Sequence, residues 1–284
     1  MNKLTMLDYV KETPDVLKTN IEQYTTLVDP LMKEVQQKEI KRILLVASGS
    51  SHNACYCARS FVEKVSGLEV RIIMPYTFTY YENDIKENDL VLVVTQSGLS
   101  TNAIEALKII KKKECRAICL TGNKNSDVKD VADVVIEYGV GEELVGYVTK
   151  GVSSLALFLD LFAIAYSGKI EYLDELKKAV DLNEEMIDQA TSFIQQHYKN
   201  FSSMSWVYSC GAGANYGTAL ESALKMGETI HIPSCCYEIE EYIHGPNLQL
   251  TPQYNVIFFD GNDGASRRVE QVYKATRKVT NRAY

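Results

Sequence analysis

From residue 42 onward, short unbroken apolar runs alternate with stretches of helical period. Residues 42–47 (RILLVA), 69–74, 90–95, 116–121 and 134–137 read as strands. Because these runs are continuously apolar and do not alternate, both faces of the sheet should be covered, as in parallel α/β architectures. Helical spacing follows the first run through Val65, recurs over 101–112, and closes this half over 148–166. Residues 3–40 also show helical spacing, with Pro14 and Pro30 predicting breaks. Residues 171–198, rich in Glu, Lys, Leu and Gln, predict a helical connector.

A second copy of the plan starts near Asn200. The segment 206–216 (WVYSCGAGANY) can be laid on 44–54 (LLVASGSSHNA), which puts Gly211 on Gly49, Gly213 on Ser51 and Asn215 on Asn53. A helix over 216–228, a strand over 231–237, a helix starting near Glu240, a strand over 255–260 and a helix over 265–280 follow. The expected division is N-terminal helices (1–40), a first α/β domain (41–168), a connector (169–199) and a second, incomplete domain (200–284). Measured against the first half, the second lacks at least one strand and one helix.

Composition narrows the partners. A chain of 284 residues with 46% hydrophobic and 24% charged residues can bury real cores, so disorder is excluded. The net charge of -7 argues against nucleic acid, and the run Lys111, Lys112, Lys113 fits a solvated helix end. Seven cysteines without a C-x-x-C pair suggest a reducing cytoplasm. The start has no apolar leader, and the longest apolar stretch, 152–166, is interrupted by Asp160 and falls short of the roughly 20 residues of a span, so no membrane is expected. His52, His197, His231 and His244 lack metal spacing, and Gly211, Gly213 and Gly217 miss the dinucleotide fingerprint, so neither metal nor cofactor is expected. The pair Cys235, Cys236 reads as packing.

Candidate chemistry sits at the carboxyl edge of the predicted sheet, where helix N-termini offer unpaired N–H groups. Two loops there are rich in hydroxyls and carry a glycine: Ser48-Gly49-Ser50-Ser51, and Thr95-Gln96-Ser97-Gly98-Leu99-Ser100. This combination suits a phosphate monoester bound without metal. In the second half Ser51 is replaced by Gly213, and the corresponding loop, Asp260-Gly261-Asn262-Asp263-Gly264, gains carboxylates that repel phosphate. That half instead offers Glu228 at the end of a helix and His244 in the segment EEYIHGP.

The set GSS, TQSGLS, LTGNKNSDVKDVAD, ALESALKMGE and EEYIHGP, running over nearly the whole chain, resembles the double sugar isomerase (SIS) domain family. Within it the chain is similar to the isomerase half of glucosamine-6-phosphate synthase and to fructosamine-6-phosphate deglycases. The resemblance implies two SIS subdomains of flavodoxin-like three-layer α/β type. It implies that Ser50, Ser51, Thr95, Gln96, Ser97 and Ser100 hold the sugar phosphate, with Lys225 lining the same pocket. Glu228 matches the carboxylate that moves a proton between C1 and C2, and His244 the histidine that opens the sugar ring from across a dimer, so a homodimer is implied. The chemistry agrees with the residue types: an aldose-ketose shift needs one base beside a carbonyl or imine, and ring opening needs a group of histidine-like acidity.

There are departures from the pattern. The synthase's glutaminase domain and its C-terminal imine-forming lysine have no counterpart, and Leu99 and Val148 stand where the synthase has glutamate and serine. Amidotransfer is therefore not expected from this chain. The expected activity is isomerisation or deglycation of an open-chain sugar or amino-sugar 6-phosphate. The alternative is a non-catalytic regulatory protein that binds a sugar phosphate.

Overall fold

The apolar runs of the first half pair as one parallel sheet in the order β2-β1-β3-β4-β5, formed by β1 (Arg42–Ala47), β2 (Glu69–Ile73), β3 (Asp89–Thr95), β4 (Ile118–Thr121) and β5 (Val134–Glu137). This is the flavodoxin-like order. The computed structural model describes residues 4–36 and 38–284. Alternate residues of each central strand feed two different cores. Ile43, Leu45, Leu92 and Val94 join α3 (Gly49–Ser66) and α6 (Lys150–Ser167), whereas Leu44, Val46, Val91 and Val93 join α4 (Pro75–Tyr80) and α5 (Thr101–Lys112). Burial on both faces is why these strands carry no polar alternation.

The expected proline breaks are corrected by the structure. Pro14 lies inside α1 (Met6–Glu22) and Pro30 inside α2 (Tyr24–Val35), and the chain breaks instead at Gln23. Burial of Leu17, Ile21, Val28 and Leu31 in the same core as α6 outweighs the lost backbone bond at each proline. Thr5 and Asp8 form a reciprocal capping box that starts α1.

By length and composition α6 could cross a membrane, yet it is the central helix of this core, most of it buried among α1, α2 and α3. Asp160 is its one carboxylate. The residue is partly exposed, but its Oδ1 is buried without a hydrogen-bond partner, and desolvation pushes its carboxyl well above the usual carboxylate range. The folded chain therefore holds a proton that the unfolded chain releases above pH 3.8 or so, and stability from this group is lost as pH rises through the folded value. Asp160→Asn is expected to stabilise the protein at pH 7 by about 1–2 kcal/mol and to flatten that loss, read from urea titrations at pH 5 and 7.

The chain divides into two compact units, Met1–Glu185 and Met186–Tyr284, the division falling inside the connector helix α7 (Tyr172–Gln196). In the second unit, after α8 (Tyr198–Ser202), β6 (Val207–Gly211), β7 (Ser234–Glu238) and β8 (Asn255–Phe259) form a parallel sheet of order β7-β6-β8, repeating the order β2-β1-β3. α9 (Ala214–Thr229), α10 (Ile239–Ile243) and α11 (Ser266–Thr276) accompany it. Tyr208, Cys210, Tyr242, Val256, Val269 and Val272 build its core. The predicted helix over 265–280 stops at Thr276, since Thr280 turns back to donate to the carbonyl of Tyr254 at 2.9 Å. Ala283 then pairs in parallel with Val256, beside β8 as β4 lies beside β3.

Backbone conformation also shifts the internal match by two residues. Gly49 after β1 has φ +56°, and its counterpart after β6 is Gly213 at +57°, not Gly211. Ser51 therefore corresponds to Asn215. Only glycine reaches this left-handed region cheaply, which makes it a better marker than chance identity along the loop.

Candidate active site

In the first unit, α3 begins at Gly49, so Ser50 and Ser51 belong to its first turn and not to a preceding loop. Both are buried, as is Thr95 at the end of β3. Ser48 and Ser100 are the N-cap residues of α3 and α5, and neither side chain caps its own helix. Adjacent pairing of β1 with β3, Ala47 opposite Val94, sets these two helix starts side by side. Asn102 joins them: its Nδ2 donates to Ser48 Oγ at 3.3 Å, and its Oδ1 accepts from Ser100 Oγ at 2.6 Å. Two helix N-termini with serine hydroxyls between them form an electropositive edge suited to a multivalent anion.

The loop between β3 and α5 is held from behind. Gly98 has φ +67°, and a Cβ there would fall 1.7 Å from Ser126 Oγ. Ser97 is exposed, with its Oγ accepting from the Leu99 amide at 3.2 Å. Gln96 is different from its neighbours in the loop: its Nε2 donates to Glu143 Oε1 at 2.7 Å and its Oε1 accepts from the Tyr138 hydroxyl at 3.1 Å. Burial, reinforced by the nearby Glu143 charge, pushes the Tyr138 phenol up, so it remains a donor. His52 is buried in the first turns of α3, and desolvation, partly offset by Asn53, holds its ring below the usual histidine range and hence neutral at pH 7.

In the second unit, α9 carries Glu221, Lys225 and Glu228 at helical spacing. Lys225 Nζ lies 3.2 Å from Glu221 Oε1 and 2.6 Å from Glu228 Oε2, a lysine shared by two carboxylates. Lys225 and Glu221 are largely buried while Glu228 is about a third exposed, so the latter is the more accessible carboxylate. His244 caps the C-terminal end of α10 and is exposed, its amide donating to the Glu240 carbonyl at 3.2 Å. At the start of α11, Asp263 Oδ1 accepts from the Ala265 amide at 2.8 Å and Asp260 Oδ1 from Ser266 Oγ at 2.6 Å. Carboxylates here occupy the donors at the start of this helix.

The hydroxyl-rich residues thus gather on the first unit, and Lys225, Glu228 and His244 on the second. Reading the sequence missed Asn102, Glu221, Glu143 and Tyr138. Asn102 was findable, two residues beyond the serine loop, and Glu221 also, one helical turn before Lys225. Glu143 had no local signal, since its partner is 47 residues away. Among the described residues, no group of three or more His, Cys, Asp or Glu is placed to hold a metal.

A parallel sheet of order 2-1-3-4-5 with hydroxyl-bearing helix starts at its carboxyl edge defines a flavodoxin-like α/β domain. Residues 38–165 match the model of the SIS domain family. It is homologous to the isomerase region of glutamine–fructose-6-phosphate aminotransferase (isomerizing): the Clostridium perfringens protein is 28% identical over 266 residues, 89% of this chain and 44% of that protein. The chain spans less than half the length of these curated relatives. Among solved structures, a protein of Clostridium difficile 630 assigned as a phosphosugar isomerase superposes with TM-score 0.88 at 25% identity, over 99% of this chain and 82% of that one. Glucosamine-6-phosphate deaminase from Thermotoga maritima, TM-score 0.84 at 21% identity over 98% of this chain and 83% of that one, shares the fold.

Proposed function

We propose that this chain is a cytoplasmic, homodimeric enzyme that moves a proton between C1 and C2 of an open-chain sugar or amino-sugar 6-phosphate, as an aldose-ketose isomerase or a fructosamine-6-phosphate deglycase. The observation that carries this reading is the pair of helix starts joined by Asn102, with the serines around them, because such an edge binds a phosphate without metal. Ser50, Ser51, Thr95, Ser97 and Ser100 hold the phosphate. Gln96 serves through its backbone, since both ends of its side-chain amide are already engaged.

The carboxylate of Glu228 removes the proton beside the carbonyl or imine, electrons move to give an enediol or enolamine, and the same carboxyl returns the proton to the neighbouring carbon. Lys225, with its Nζ 2.6 Å from Glu228 Oε2, holds that carboxylate in place before the reaction. His244 protonates the ring oxygen as the cyclic sugar opens. In a deglycase, water then hydrolyses the tautomerised product to glucose 6-phosphate and a free amine. The names of the Clostridium perfringens, Clostridium difficile and Thermotoga maritima proteins, which contain fructose-6-phosphate, phosphosugar and glucosamine-6-phosphate, support this substrate class.

Calorimetric titration with fructose 6-phosphate, glucosamine 6-phosphate and fructoselysine 6-phosphate tests the binding half. Ser97→Ala is expected to weaken the preferred ligand about tenfold, the cost of one hydrogen bond to a charged group. Equal affinity in wild type and variant would remove Ser97 from the site. Binding of these sugars without any C1/C2 exchange would make the protein a sugar-phosphate sensor instead.

A further inference from the structure

Behind the loop 95–100 lies a carboxylate that the proposed chemistry does not use. Glu143 accepts three hydrogen bonds: from Gln96 Nε2 at 2.7 Å and the Thr149 amide at 2.9 Å on Oε1, and from the Lys150 amide at 2.7 Å on Oε2. It thereby ties the loop after β3 to the first turn of α6. The fit is close, since a Cβ on Gly151 would fall 1.6 Å from Gln96 Oε1. The Gln96 carbonyl is fixed too, accepting from the Gly122 amide at 3.0 Å and Thr121 Oγ1 at 3.2 Å.

The segment bearing Glu143 is itself held by α1, which lies outside the matched SIS region. Asn20 Nδ2 donates to the Gly139 carbonyl at 3.0 Å, the Leu144 amide donates to the Tyr9 hydroxyl at 3.0 Å, and buried Lys150 donates from Nζ to Glu12 Oε1 at 2.9 Å. A carboxylate near an anion-binding loop opposes the anion, so its presence needs a reason. Here the N-terminus of α6, through the Thr149 and Lys150 amides, compensates its charge, leaving it free to act as a strut.

We propose that Glu143 is a positioning residue: acting through the Gln96 side chain, it holds the loop 95–100 in the conformation that receives the phosphate, with α1 as its support. This rests on the reading that this loop binds phosphate, and it explains why a side chain in the middle of that loop turns away from the ligand edge. Backbone N–H groups select an anion only while their direction is fixed, which a glycine-containing loop does not achieve alone.

Hydrogen-deuterium exchange of the peptide covering 95–101, followed in the full chain by mass spectrometry, tests it. Glu143→Gln sets two amide donors against each other. Gln96→Met breaks the same bond while leaving the Glu143 caps on α6 in place. Each is expected to speed exchange of this peptide about tenfold and to weaken fructose 6-phosphate by a similar factor, with β1 and β3 as protected as in wild type. The double variant should be no faster than the faster of the two single ones, because both act on the loop through the same Gln96–Glu143 bond. Unchanged exchange in Gln96→Met, or effects that add in the double variant, would overturn the proposal. A loosened loop in a protein whose wild type binds no sugar phosphate would sustain the strut and sink the functional reading instead.

Discussion

Glu228→Gln is expected to lower C1/C2 proton exchange about a thousandfold, the usual scale for loss of a positioned general base. Glutamine keeps the size of the side chain and can still meet Lys225 Nζ through its carbonyl, now at 2.6 Å from Glu228 Oε2, so binding of the sugar phosphate should change little. The loss would then fall on kcat and not on KM. Incubation of wild type and variant with the three sugar phosphates in D2O, followed by NMR at C1 and C2, gives the rates. Exchange that survives within tenfold in the variant would assign the proton transfer to another group, and Glu221, on the other side of the same lysine, would be the next to replace.

The second large effect concerns stability. Asp89 at the start of β3 is nearly buried and receives two bonds from Arg42, Nε to Oδ1 at 2.9 Å and Nη2 to Oδ2 at 2.6 Å, together with the Lys86 amide at 2.7 Å. Burial by itself would raise the Asp89 carboxyl, and the bonds from Arg42 and Lys86 outweigh it, so the group is held below its ordinary 3.8. Arg42→Met leaves that carboxylate buried without its partner and is expected to cost about 3–5 kcal/mol in urea unfolding at pH 7. Because the folded-state pKa is depressed, the pair contributes fully above about pH 3.8, and the contribution is lost as pH falls through the folded value. The gap between wild type and variant should therefore close on acidification. A gap that stays constant to pH 3 would mean that Arg42 stabilises through packing alone.

Most of the first sheet was legible in the sequence because a strand buried on both faces must be apolar throughout, and RILLVA or DLVLVV permits little else. α5 falls on the predicted 101–112, with its N-cap serine directly after the loop. The proline breaks failed because local propensity costs about 3 kcal/mol per site, and the apolar faces of α1 and α2 recover more than that against α6. The offset between Gly211 and Gly213 had a similar origin, since residue identity was followed where backbone conformation decides.

By itself, then, the sequence determined the strand-loop-helix alternation and its recurrence in the second unit, both of which depend on neighbours a few positions apart. Tertiary structure alone decided that Asn102 bridges two helix starts, that Lys225 is shared by two carboxylates, and that Gln96 points toward Glu143. These contacts depend on which strands pair and how helices seat on them. Partners such as Ser48 and Asn102, 54 residues apart, become neighbours only when β1 and β3 align side by side.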